Sequence, residues 1–124
     1  MRKSLFVCGF VLAATPALAD FTTCYEPYPP AAVNGSTATL EQMQQAQKDV
    51  QQFIKDSDDY QDCMNGQLKS MQIEAKHSKD RTPVDPSIVS MVKTKIDKNQ
   101  ALKVRVGAEF NTAAQAFNAR HKGQ

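Results

Sequence analysis

Residues 39 to 75 read TLEQMQQAQKDVQQFIKDSDDYQDCMNGQLKSMQIEA, and the spacing of their apolar side chains decides the fold. Leu40, Met43, Val50, Ile54, Ser57, Met64, Leu68, Met71 and Ala75 fall on one stripe at alternating steps of three and four, with Gln47 and Gln61 as polar interruptions. Ala46, Phe53 and Tyr60 widen the stripe on one side. That period is helical, and its length gives an amphipathic helix of coiled-coil character. Thr39-Leu40-Glu41-Gln42 supplies the start as a capping box, in which the Thr hydroxyl accepts from the third amide and the Gln side chain accepts from the cap. Gly66 is the weak point, costing about 1 kcal/mol against Ala inside a helix. It reads as a place of close backbone approach or a kink.

The pattern breaks from Asp80 to Val84 and restarts at Asp85-Pro86, an N-cap followed by Pro at the first helical position. Ile88, Val92, Ile96, Leu102, Val106, Phe110, Ala113 and Phe117 carry the second stripe. The prediction is an all-α fold: helix 39–79, loop 80–85 and helix 86–121, folded back as an antiparallel two-helix hairpin over 39–122. With the turn centred near 82 or 83, position 58 faces about 107, which brings Asp56, Asp58, Asp59 and Asp62 alongside Lys103 and Arg105. Such pairs are individually weak but help to set register.

Residues 20–38 precede the hairpin as an arm. Glu26-Pro27-Tyr28-Pro29-Pro30 favours polyproline II, and Asn34-Gly35-Ser36 is a turn signal. The same triplet matches a glycosylation acceptor, which matters only in a eukaryotic source. The Pro-rich run could serve as a ligand for an aromatic groove, but the reading taken is a stiff, packed arm.

Cys24 lies in this arm and Cys63 in the first helix, and the pair is read as a disulfide. The alternatives are two buried thiols or half of a metal site, although no further His or Cys stands near to complete one. Geometry permits the staple. Cys63 lies roughly 36 Å along the helix from Thr39 at 1.5 Å per residue, and the arm from Cys24 to Thr39 spans roughly 45 Å when extended. The arm can therefore run back along the helix, with Phe21, Tyr25 and Tyr28 expected to add a third layer to the core.

Residues 1–19 read as an export signal. Arg2 and Lys3 give the charged start, Leu5 to Ala14 an apolar run too short to span a bilayer, and Ala17-Leu18-Ala19 the small residues for cleavage after Ala19. Cys8 lies within that apolar run. The expected localisation is periplasmic or secreted. The full chain of 124 residues has 15 basic and 13 acidic side chains, and removing Arg2 and Lys3 leaves 13 of each. A neutral mature chain gives no general affinity for nucleic acid. Its length suits one domain, and the absence of Trp leaves an aliphatic, Met-built core.

Catalytic patterns are missing. His77 and His121 are expected at opposite ends of the hairpin, the serines lack a nucleophile-elbow context, and the glycines are too scattered for a phosphate loop. Asp56, Asp58, Asp59 and Asp62 form the densest carboxylate cluster and are weak candidates for a cation. They lack the Gly-mediated turn and distal Glu of a calcium loop and read first as a solvated helix face.

Cys24-Tyr-Glu-Pro-Tyr-Pro-Pro followed by Phe53-Ile-Lys-Asp-Ser-Asp-Asp-Tyr60-Gln-Asp-Cys63 resembles a family of small exported proteins of Gram-negative bacteria. The likeness covers about residues 24 to 68. It implies periplasmic placement and the disulfide, and carries no active site, cofactor or ligand. The expectation is a non-enzymatic binding, scaffold or chaperone-like module, with an unknown envelope protein or a second copy as partner. Its motivation is the amphipathic helices and the adaptable Met43, Met64, Met71 and Met91. The alternative is a small-molecule or divalent-cation binding protein, with its site under the arm or at the acidic face.

Replacing Cys63 with Ser should release the arm and lower stability by about 3–4 kcal/mol, the chain-entropy range for a closed loop of about forty residues. Thermal melting with and without a dithiol reductant checks it. An unchanged midpoint would overturn the stapled arm.

Overall fold

The computed structural model describes residues 21–122. The proposed export signal lies outside them. Helix α1 runs Leu40–His77 and helix α2 runs Pro86–His121, packed against each other, with a short 3₁₀ turn at Phe21–Thr23. No strand occurs among the described residues, and none of their helices is long and apolar enough to cross a membrane.

The helix ends follow local chemistry. The Gln42 amide donates to Thr39 Oγ1 at 3.2 Å, and the Thr39 amide donates to Gln42 Oε1 at 2.8 Å. At the other end, Ser78 caps α1 by donating its amide to the Glu74 carbonyl and its hydroxyl to that of Ala75. Asp85 Oδ1 accepts from the Ser87 amide at 2.8 Å, with Pro86 opening α2. This contact holds the Asp85 carboxyl below its ordinary pKa. Arg81 is the one non-glycine described residue with positive φ, at 48°, and it reverses the chain.

The seam between the helices keeps a seven-residue repeat. The buried residues of α2 are Val92, Asn99, Val106 and Ala113. Met43, Ser57 and Met64 are buried on α1, with half-buried Val50 completing the same repeat. Met43 packs in one cluster with Ala113, Met64 in another with Val92, and Ser57 meets Asn99 between them. A seven-residue period keeps a pair of slightly supercoiled helices facing one another along their length.

This register differs from the expected one. Asp58 does pair with Lys103 as expected, but Arg105 pairs with Glu109 on its own helix, and the Ser57–Asn99 contact sets position 58 level with about 98 rather than 107. The reason lies in the loop. On the observed register the start of α2 lies level with about residue 70, each helical residue rising 1.5 Å. The end of α1 therefore overhangs, and Pro83 and Val84 run back beside Ala75 and Lys76. Ile73, beyond the reach of α2, is exposed.

The arm lies across both helices and is fixed at two places. The first is the Cys24–Cys63 disulfide, with Cα atoms 5.6 Å apart. Cys24 and Phe21 join Tyr60, Met64 and Val92 in the core there. The second is the corner before α1, where Val33 and Ala38 join Met43, Ala113, Phe110 and Phe117. Arg120 donates to the Ser36 and Ala38 carbonyls and rests over the Phe117 ring at 5.6 Å. Gly35 sits so close to α2 that a Cβ there would lie 1.8 Å from the Ala113 carbonyl oxygen.

Between these anchors the expected third layer is only partly realised. Phe21 packs inward, but Tyr25 is 84% and Tyr28 93% exposed. Phe21, Cys24, Pro27, Pro30 and Val33 are the residues partly or wholly buried, one in every three. That is the period of polyproline II. With Cys24 held inward by its cross-link, Tyr25 and Tyr28 must face out.

Gly66 also departs from expectation. A Cβ there meets nothing within 4 Å, so no close approach requires the glycine, and α1 continues through it. The two glycines should respond with opposite signs. Gly66→Ala should stabilise by about 1 kcal/mol, whereas Gly35→Ala should destabilise by about 1–3 kcal/mol because backbone must shift to admit the methyl. Urea denaturation of both variants measures the difference.

Candidate functional site

The residues singled out for chemistry are dispersed. His77 ends α1 and His121 ends α2, at opposite ends of the hairpin. His121 Nδ1 lies 2.8 Å from the Phe117 carbonyl, and its ring packs on Phe117 at 4.2 Å between centroids. Three members of the acidic cluster are engaged by neighbouring side chains, although Asp56 and Asp59 line one cleft. Asp56 accepts from Gln52, Asp59 pairs with Lys55, Asp58 crosses to Lys103, and Asp62 is exposed on α1. Among the described residues no group of three His, Cys, Asp or Glu is arranged to hold a metal ion.

The methionines are also committed elsewhere. Met43 and Met64 are buried in the seam, and Met71 and Met91 are half-buried. Met43, Met64 and Met91 pack in the protein's own core.

At the centre of the seam lies a polar layer that the sequence reading missed. Ser57 and Asn99 have no exposed surface. Asn99 Nδ2 donates to Ser57 Oγ at 3.3 Å, and Gln61 Nε2 donates to Asn99 Oδ1 at 2.8 Å and to Gln100 Oε1 at 3.1 Å. No buried side-chain nitrogen or oxygen among the described residues lacks a partner. A paired Asn in an otherwise apolar seam fixes register, since a slip would leave amide and hydroxyl unsatisfied in the interior. The signal was present: Asn99 lies seven residues from both Val92 and Val106.

The surface with a distinct character is the outer face of the arm. From Tyr25 to Val33 its backbone makes no hydrogen bond with other described residues, as polyproline II requires. A cleft of about 350 Å³ separates it from α1, lined by Tyr25, Pro27, Asp56, Asp59 and Tyr60. A wider one of about 610 Å³ lies on the α2 side, lined by Glu26, Met91, Thr94, Lys95 and Lys98. Burial pushes the Tyr60 phenol above its ordinary pKa, and nearby Glu26 adds to the shift. Tyr60 is thus a neutral wall to the first cleft at physiological pH.

These features define the chain as an all-α helical hairpin with a disulfide-stapled arm. Comparison with models of protein families, with curated proteins and with solved structures finds no match to it.

The polar layer makes a specific prediction. Asn99→Ala should cost about 1–3 kcal/mol, because it leaves Ser57 buried without its partner. Ser57→Ala combined with Asn99→Leu should recover most of that loss, as apolar pairs in such seams do. Denaturant melts of the three proteins check the order.

Proposed function

We propose that this chain is a non-enzymatic exported protein, periplasmic or secreted, that works as a binding or scaffold module through its exposed surface, the outer face of the arm foremost. The observation that carries this reading is the presentation of Tyr25 and Tyr28 in water on a segment fixed at both ends. Tyrosine offers large contact area at low rotamer cost, and an already ordered backbone loses little entropy on association. The charged start and apolar run of residues 1–19 support export, as does the disulfide, since such bonds persist in oxidising compartments. The dispersed His, Asp and Ser side chains favour binding over catalysis.

In-cell cross-linking of the tagged protein, followed by mass spectrometry of the envelope fraction, tests the reading. The expected result is one dominant protein partner held in a stoichiometric complex. A strictly monomeric chain with no cross-linked protein would overturn it.

A further inference from the structure

Polyproline II has three ridges, and this arm uses one of them internally. Cys24, Pro27, Pro30 and Val33 form the ridge that faces the hairpin. The other two ridges, Tyr25-Tyr28-Ala31 and Glu26-Pro29-Ala32, are exposed along their whole length. Proteins that recognise polyproline II grip it in grooves lined by aromatic side chains, exploiting its preformed, low-entropy shape. Here two ridges remain outward while the third is anchored, and the backbone of Tyr25 to Val33 keeps its carbonyls uncommitted to other described residues. Tyr25 and Tyr28 stand about 9 Å apart along the ridge at 3.1 Å per residue.

The flanks carry opposite charge. On the helices, Asp56 and Asp59 line the cleft on the α1 side of the arm and Lys95 and Lys98 line the cleft on the α2 side, while the arm's own Glu26 lines both. Lys55 pairs with Asp59, but both groups are largely exposed and such a pair is readily exchanged. The polyproline II helix can be read in either direction by a symmetric groove, and flanking charges of opposite sign select one.

We propose that the arm is a built-in polyproline II ligand, whose occupant is a protein with an aromatic-lined groove. One lip of that groove is basic and sits against Asp56 and Asp59; the other is acidic and sits against Lys95 and Lys98. This rests on the reading of the chain as an interaction module and names the surface and the partner's chemistry. The aromatic ridge supplies affinity and the dipolar flanks supply orientation.

The test places a photo-activatable benzophenone amino acid at Tyr25, at Tyr28 and, as a control on exposed α2, at Val104, in the full chain in its own exporting cell. Expected are adducts from positions 25 and 28 with one protein, mapping to a groove lined by Trp or Tyr, and none from Val104. The purified pair should then lose at least about tenfold in affinity for the Tyr25→Ala/Tyr28→Ala double variant, as interface aromatics do. Asp56→Lys/Asp59→Lys should weaken it more in low salt than in high. Intact-mass measurement of the disulfide and circular dichroism verify that the variants keep the fold. Adducts from Val104 alone would overturn the arm proposal while leaving the interaction module standing. No adduct at any position would remove both. Adducts with lipid, glycan or a second copy of the chain, or a double variant that binds within about twofold of the original, would also overturn the proposal.

Discussion

The Cys24–Cys63 bond is the constraint on which the remaining structure depends. Two helices alone bury only a narrow seam and leave their flanks wet, a poor core for a chain of this size. Tying Cys24 to the middle of α1 holds the arm across that flank, where Phe21 and Cys24 close over Tyr60, Met64 and Val92. The bond also fixes the phase of the arm. Once Cys24 faces inward, a threefold helix sends Pro27, Pro30 and Val33 after it and turns Tyr25 and Tyr28 to solvent.

The opposite end is fixed without a covalent link. Gly35 lets the corner touch the α2 backbone, and Arg120 reaches back to the Ser36 and Ala38 carbonyls. Asn34 shapes the corner by accepting from the Ser36 amide through its side chain and from Thr37 and Ala38 through its carbonyl. Between these anchors the Ser57–Asn99–Gln61 layer locks the helices in register. The arm, helix pairing and polar layer therefore constrain one another, each fitting only the register that satisfies the others.

The stiff arm presents its outer ridges to solvent along the narrow bundle. His77 and His121 stand at opposite ends of the hairpin, whereas Asp56, Asp59 and Tyr60 line one cleft beside the arm. Tyr25 and Tyr28 stand together on the arm, with Asp56 and Asp59 of α1 on one side, Lys95 and Lys98 of α2 on the other, and Glu26 lining both clefts.

The sequence by itself determined the helices, their caps and the cysteine pairing, because these rest on local chemistry and on periods readable along the chain. The Thr39–Gln42 capping box and Asp85-Pro86 need only neighbours within four residues. The tertiary structure decided the register, because the loop runs back along α1 rather than turning symmetrically, and no local pattern encodes that path. It also decided the roles of Asn99 and Gly35. Each looks ordinary in its own segment and gains meaning only from a partner on the other helix, Ser57 for one and the Ala113 backbone for the other. Tyr25 and Tyr28 lie between the two cases. Their period of three was legible, but their outward phase followed from the inward seat of Cys24, which only the packed hairpin provides.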